Sequence, residues 1–281
     1  MKSTVKTKKT VECALMVALS TVLSLFHLVQ MPYGGSVTPA SLFPIVLLSY
    51  RHGMRWGFGA GLAYGVIQQL LGLNNLSYFT TWQSVVAIIL LDYLLAFAAG
   101  GLGGVFRRGV RTQSLSMVCG GALACLVRYA CHVISGATVW AGLSIPTEAA
   151  LAYSLIYNAT YMIPETVVLV LVAYYLGSVL DFRREQPVRL STRTGTRGAD
   201  ACAFAAGGVG VAALAVSVSL IFAHMQHPES GEFDISYLAV DSFAGSFWMA
   251  VVLMCAIAAA TATALLIVRA CLLRNARSAE S

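Results

Sequence analysis

Long apolar runs, separated by short polar or basic turns, set the reading of this chain. Apolar positions dominate residues 11–29, 40–50, 56–73, 81–106, 113–139, 149–180, 201–222 and 244–268. A helix needs roughly 20 apolar residues to cross the hydrocarbon core of a bilayer, and most of these runs reach about that length. Each run is predicted to be a helix. The run at 40–50 is too short to cross unaided and is expected to tilt or to begin within the preceding turn. The expected fold is all-α and polytopic. Six helices over 1–181 form one membrane domain, 182–200 form a basic linker, and 201–281 form a two-helix transmembrane hairpin with a short tail.

Composition sharpens this picture. Of 281 residues 58% are apolar and only 11% are charged, against about 25% charged in soluble domains. The net charge of +6 matters through its placement. Lys2, Lys6, Lys8 and Lys9 precede the first run, and Arg51 and Arg55 flank the second turn. Arg107, Arg108 and Arg111 lie in the fourth turn, Arg183, Arg184, Arg189, Arg193 and Arg197 in the linker, and Arg269, Arg274 and Arg277 near the end. The alternate turns, 30–40, 74–80, 141–148 and 224–241, hold no Lys or Arg. That alternation is the positive-inside pattern, which predicts a multi-pass cell-membrane protein with both termini cytoplasmic. It also argues for the lipid bilayer, not nucleic acid, as the partner of the basic residues. The first run lacks a small-residue cleavage site and is expected to be retained as a helix.

The sequence holds no phosphate-binding loop, no HExxH and no GxSxG. No catalysis and no cofactor are expected, and any energised step must come from another subunit. Seven cysteines, at 13, 119, 125, 131, 202, 255 and 271, all fall in or beside apolar runs. They are expected to be small buried hydrophobes and not metal ligands. His224 and His227 lie in an acidic turn with Glu229, Glu232, Asp234 and Asp241, which reads as solvated loop.

The candidate chemistry lies in 128–165. His132, Gly136 and Trp140 fall at i, i+4 and i+8 and so are expected on one helix face. Tyr153, Asn158 and Glu165 follow on the next helix, after a turn with Pro146. Asp92 lies well inside the fourth run, where an unpaired carboxylate costs about 2.5–3.5 kcal/mol. It is expected to be protonated, paired with Arg128, or set against a cationic ligand. Trp140 and Tyr153 offer flat faces for an aromatic guest, and an indole face also attracts a cation. His132 and Asn158 can donate and accept hydrogen bonds and so orient a ligand. The same residues fit a plainer arrangement, with Trp140 and Tyr153 as belt aromatics and Asp92, Arg128 and Glu165 as a structural ion network.

The segments RYACHVISGATVW (128–140), AYSLIYNATYMIPE (152–165) and LLDYLLAF (90–97), with the AxxxA pair Ala14 and Ala18 in the first run, resemble one known family. It is the thiamine-specific S components of energy-coupling factor (ECF) vitamin transporters. The resemblance covers about residues 11–180. It implies a six-helix substrate-binding membrane subunit that captures thiamine at the outer face. A transmembrane coupling subunit and two ATPase subunits would then drive uptake. Carried over position by position, it implies ligand contacts at Asp92, Tyr93, His132, Gly136, Trp140, Tyr153 and Asn158, and a coupling-subunit contact at Ala14 and Ala18. The family leads one to expect glutamate where Asp92 stands, and a tryptophan in the first outer turn, where Tyr33 takes its place. Two rival readings remain: a subunit for another aromatic vitamin or a thiamine precursor, and a stand-alone proton-coupled transporter with Asp92, Arg128, His132 and Glu165 as its relay.

Overall fold

Apolar surface that faces lipid and small residues that let backbones touch together account for the architecture. In the computed structural model, which describes residues 2–31, 34–143, 147, 150–190, 197–224 and 246–280, helix α1 (Lys2–Leu25) opens on a basic turn. It then exposes Val11, Leu15, Leu19 and Val22, with Ala14 and Ala18 exposed among them. A short antiparallel hairpin follows, β1 (Val29–Gln30) pairing with β2 (Ser36–Val37). Pro44 sits in the first turn of α2 (Phe43–His52), where a missing N–H leaves no intrahelical bond unmade. Gly53, at a left-handed φ of +96°, then separates α2 from α3 (Met54–Leu71). Every residue from Phe43 to Tyr50 is buried. The short run at 40–50 therefore needs no membrane-spanning length, because it is enclosed by the rest of the bundle.

After a 3₁₀ turn, Leu73–Tyr78, helix α4 (Trp82–Arg107) changes type along its length. It is α-helical over Trp82–Ile88, π-helical over Ile89–Leu95, and 3₁₀ over Ala99–Arg107. Thr81 caps it, accepting from the Ser84 amide. Its second half meets neighbouring backbones directly. A β-carbon at Gly103 would lie 2.7 Å from Val46 Cα, and one at Gly101 would lie 2.6 Å from the Phe58 amide nitrogen. On the next helix, a β-carbon at Gly120 would collide with the Gly103 carbonyl. Small residues thus replace side-chain layers with backbone contact, the usual device for close helix association in membranes.

Helices α5 (Gln113–Thr138) and α6 (Ala150–Val179) complete this part, and α6 runs on through Pro164. Residues 180–189 then fold back as β3 (Leu180–Asp181) paired with β4 (Val188–Arg189). Gln113 fastens this turn: its amide donates to the Gly177 and Leu180 carbonyls at 3.0 and 2.6 Å and accepts from the Phe182 amide at 2.9 Å. Arg51 donates to the Phe182 and Glu185 carbonyls, each at 2.9 Å, and pairs with Glu12 of α1.

The chain divides into two compact units, 1–189 and 190–281. In the second, α7 (Arg197–His224) and α8 (Ser246–Glu280) pack on each other, with Ser217 Oγ 3.3 Å from Cys255 Sγ. Among the described residues, four segments are long and apolar enough to cross a membrane: Trp82–Arg107, Gln113–Thr138, Ala150–Val179 and Phe247–Ala276. The protein is a mostly helical, polytopic membrane protein.

Candidate binding site

The π-helical turn Ile89–Leu95 carries Asp92 and Tyr93. Widening the helix by one residue per turn re-aims side chains, and such turns occur often at functional sites. Asp92 turns toward α5, and three donors converge on it. His132 Nδ1 lies 3.0 Å from Oδ1, while Ser135 Oγ and Trp140 Nε1 donate to Oδ2 at 2.8 and 3.2 Å. Donation to a carboxylate places the proton on Nδ1, so in the neutral ring Nε2 is an acceptor. That Nε2 is buried and has no hydrogen-bond partner among the described residues.

Pairing with Arg128, one of the three settings expected for Asp92, is not made. Arg128 Nη1 donates instead to Glu165 Oε2 at 2.8 Å, and Thr38 donates to Glu165 Oε1 at 3.1 Å. The Arg128 guanidinium also lies 4.6 Å from the centre of the Phe97 ring, a cation–π distance. The plainer arrangement, one ion network of Asp92, Arg128 and Glu165, is not found: there are two separate pairs, because α5 presents Arg128 and His132 to different neighbours.

Trp140 does not sit on the helix face with His132 and Gly136. Helix α5 ends at Thr138, and the Trp140 amide bonds back to the Ser135 carbonyl at 3.2 Å. The chain turns there, and the indole reaches Asp92 from beyond the helix end. Trp140 is 9% exposed, so it is not a belt aromatic facing lipid. Phe79 meets it edge-on at 4.8 Å between centroids, and Tyr78 is tilted at 6.0 Å.

Gly136 and Tyr153 are buried, on α5 and α6. Tyr93 is half-buried, and its hydroxyl accepts from Asn75 Nδ2 at 3.1 Å. Asn158 is buried and engaged by the protein itself. Its amide donates to the Ser154 and His132 carbonyls at 2.9 and 3.3 Å, and its Oδ1 accepts from the Tyr161 hydroxyl at 2.6 Å. The structure therefore shows Asn158 as a brace tying α6 to the backbone of His132. Tyr33 lies outside the described residues. Its neighbour Gly34 accepts from the Tyr157 hydroxyl at 2.8 Å, and Gly35 is so close to the Tyr161 ring that an added β-carbon would lie 2.7 Å from it. Ala14 and Ala18 are on the exposed face of α1, apart from this cluster.

Ser135, Tyr161 and Phe79 were not among the residues picked from the sequence. Ser135 stands three residues after His132 and shares its face, which was the available clue. For Tyr161 and Phe79 the apolar pattern offered none.

These features define a helical polytopic membrane protein that keeps an imidazole and an indole hydrogen-bonded to one carboxylate. The thiamine transporter protein family matches residues 10–181. The chain is 35% identical over 173 residues to the thiamine transporter ThiT of Bacillus subtilis (strain 168), covering 58% of this chain and 86% of that one. It is 28% identical over 148 residues to ThiT of Lacticaseibacillus paracasei, covering 49% of this chain and 71% of that one. A solved structure of ThiT from Listeria monocytogenes aligns with a TM-score of 0.49 and 22% identity, over 59% of this chain and 91% of that chain. The chain belongs to the thiamine transporter protein family.

Proposed function

We propose that this protein is the thiamine-capturing S component of an ECF-type transporter and performs no catalysis. The observation that carries the reading is the convergence of His132, Ser135 and Trp140 on Asp92. It places a carboxylate beside an indole and an imidazole in a largely water-free setting. Thiamine joins two flat rings through a methylene bridge and carries one fixed positive charge: its thiazolium suits Asp92 and the Trp140 ring, and its aminopyrimidine suits polar anchors. The proposed ligand contacts are Asp92, Tyr93, His132, Gly136, Trp140, Tyr153 and Asn158, with Tyr33 closing from the first outer turn. Aspartate in place of the family's glutamate is compatible with this role, since the shorter side chain still meets all three donors.

The exposed Ala14 and Ala18 face on α1 is the proposed contact for the transmembrane coupling subunit, through which two ATPase subunits would supply energy. The distribution of Lys and Arg supports a cytoplasmic position for both termini. Residues 201–281 are proposed as an added transmembrane hairpin, joined to the binding domain through the basic stretch that ends at 200. The rival reading, a stand-alone proton relay through Asp92, Arg128, His132 and Glu165, is disfavoured because these four form two separate pairs.

Titration of the purified protein with thiamine, followed by tryptophan fluorescence, tests the proposal. A saturable change that disappears in Trp140→Ala is expected. Absence of any saturable change in the intact protein overturns it. Transport by the protein alone in liposomes, driven by a pH gradient, would favour the relay.

A further inference from the structure

Of the three donors that hold Asp92, Ser135 alone is no proposed ligand contact. A serine or threonine inside a helix ordinarily returns its hydroxyl hydrogen to a carbonyl one turn back. Thr138 does so on the same helix, donating to the Ile134 carbonyl at 2.6 Å, and Thr166 does so on α6, donating to the Met162 carbonyl at 2.7 Å. Ser135 sends its hydrogen across to α4 instead and reaches Asp92 Oδ2 at 2.8 Å.

The main chain of the same residue has a second task. In the turn that follows α5, the Ser135 carbonyl accepts from the amides of Val139 and Trp140 at 2.7 and 3.2 Å. The Trp140 indole then donates to the same Oδ2 at 3.2 Å. One residue thus holds the carboxylate by its hydroxyl and the backbone of the indole by its carbonyl. Ser135 is fully buried, so it acts through these two groups and not at a ligand surface. The terminal torsion of an aspartate is broad, and its carboxylate swings unless donors fix its plane. A hydroxyl bonded to a carboxylate is a charge-assisted donor, the stronger kind.

We propose that Ser135 is a positioning residue for the ligand's charge. Its hydroxyl fixes the plane of the Asp92 carboxylate, and its carbonyl fixes the turn that carries Trp140. The two groups proposed to meet the thiazolium therefore keep one mutual arrangement. The inference rests on the thiamine reading above and adds to it a residue that touches no ligand.

The test is calorimetric titration of the intact protein, Ser135→Ala, Asp92→Asn and the double variant. Two ligands are used: thiamine, and its deaza analogue, in which carbon replaces the charged thiazolium nitrogen and leaves that ring neutral. In Ser135→Ala, thiamine affinity is expected to fall roughly tenfold. Affinity for the neutral analogue is expected to stay within about threefold, since it does not draw on the carboxylate's charge. In the Asp92→Asn background the same substitution should cost thiamine less than about threefold, because the charge it positions is gone. Ser135→Cys keeps a weaker donor in nearly the same volume; it should lose less, and it carries the comparison if the alanine variant does not fold. Unchanged thiamine affinity overturns the inference, as does an equal loss for both ligands or a loss undiminished in the Asp92→Asn background. If the intact protein binds thiamine and the Ser135 variants match it, only the role of Ser135 falls. If the intact protein binds no thiamine, the ligand reading falls and takes this inference with it.

Discussion

Two acidic side chains sit inside this bundle, and they are treated differently. Glu165 is enclosed: its side chain is 3% exposed, both oxygens are engaged, and its cation, Arg128, is 9% exposed and lies over Phe97. Asp92 is held just as firmly, but by His132, Ser135 and Trp140, with no arginine or lysine paired to it among the described residues. The first pair joins two full charges and leaves only the Arg128 Nε without a partner among the described residues. The second sets a carboxylate against neutral donors, leaves an imidazole nitrogen without a partner and has the Trp140 indole beside it. Identical chemistry at the carboxylate thus serves the fold in one place and suits a guest in the other, and the partners make the distinction.

Breaking the Arg128–Glu165 pair should have the largest effect. Glu165→Ala strands a buried guanidinium, and a loss of about 3–5 kcal/mol in unfolding free energy is expected by thermal or denaturant unfolding in detergent. Replacing both partners, Arg128→Met with Glu165→Leu, should recover most of that loss and leave thiamine affinity near that of the intact protein. If the double variant folds but no longer binds, the two regions are not separable and the comparison fails.

Next comes Asp92→Asn. The ligand-free unfolding midpoint should barely move, because the amide is isosteric and can still accept from two of the three donors. Thiamine affinity should fall by roughly a hundredfold, about 2.8 kcal/mol, by calorimetry. A smaller effect is expected for Trp140→Phe, which keeps a ring but loses the indole donor to Asp92. An affinity loss of roughly tenfold is the expected reading.

The smallest effect belongs outside the bundle. The hydrogen bond from Lys8 holds the exposed Glu185 carboxyl below its usual range. The interaction is therefore present at neutral pH and lost as pH falls through the lowered value. Both side chains are solvated, so Lys8→Ala should give no resolvable change in the unfolding midpoint at any pH.

Much of the fold could be read from the chain because lipid imposes a long, simple pattern. Apolar run lengths set the helices of the first unit, and the observed ends of α5 and α6 differ from the expected ones by only a residue or so. Asp92, His132 and Trp140 stood out because a polar or bulky aromatic group inside such a run demands a reason. What stayed hidden were the relations across helices. Nothing in the apolar periodicity told that Arg128 would choose Glu165 over Asp92, since both acids lie on neighbouring runs. The π turn at Ile89–Leu95 has no hydrophobic signature of its own, yet it sets where Asp92 and Tyr93 point. The turn after α5, in which the Trp140 amide bonds back to the Ser135 carbonyl and brings the indole onto Asp92, leaves no trace in the apolar pattern either.

The glycine-lined half of α4 has a further consequence. Gly101 and Gly103 press bare peptide against Phe58 and Val46, and Gly120 presses on Gly103 in turn. Contacts of this kind depend on the absence of a side chain: any residue larger than glycine at these three positions would wedge α2, α3, α4 and α5 apart at this level and displace the helix that carries Asp92.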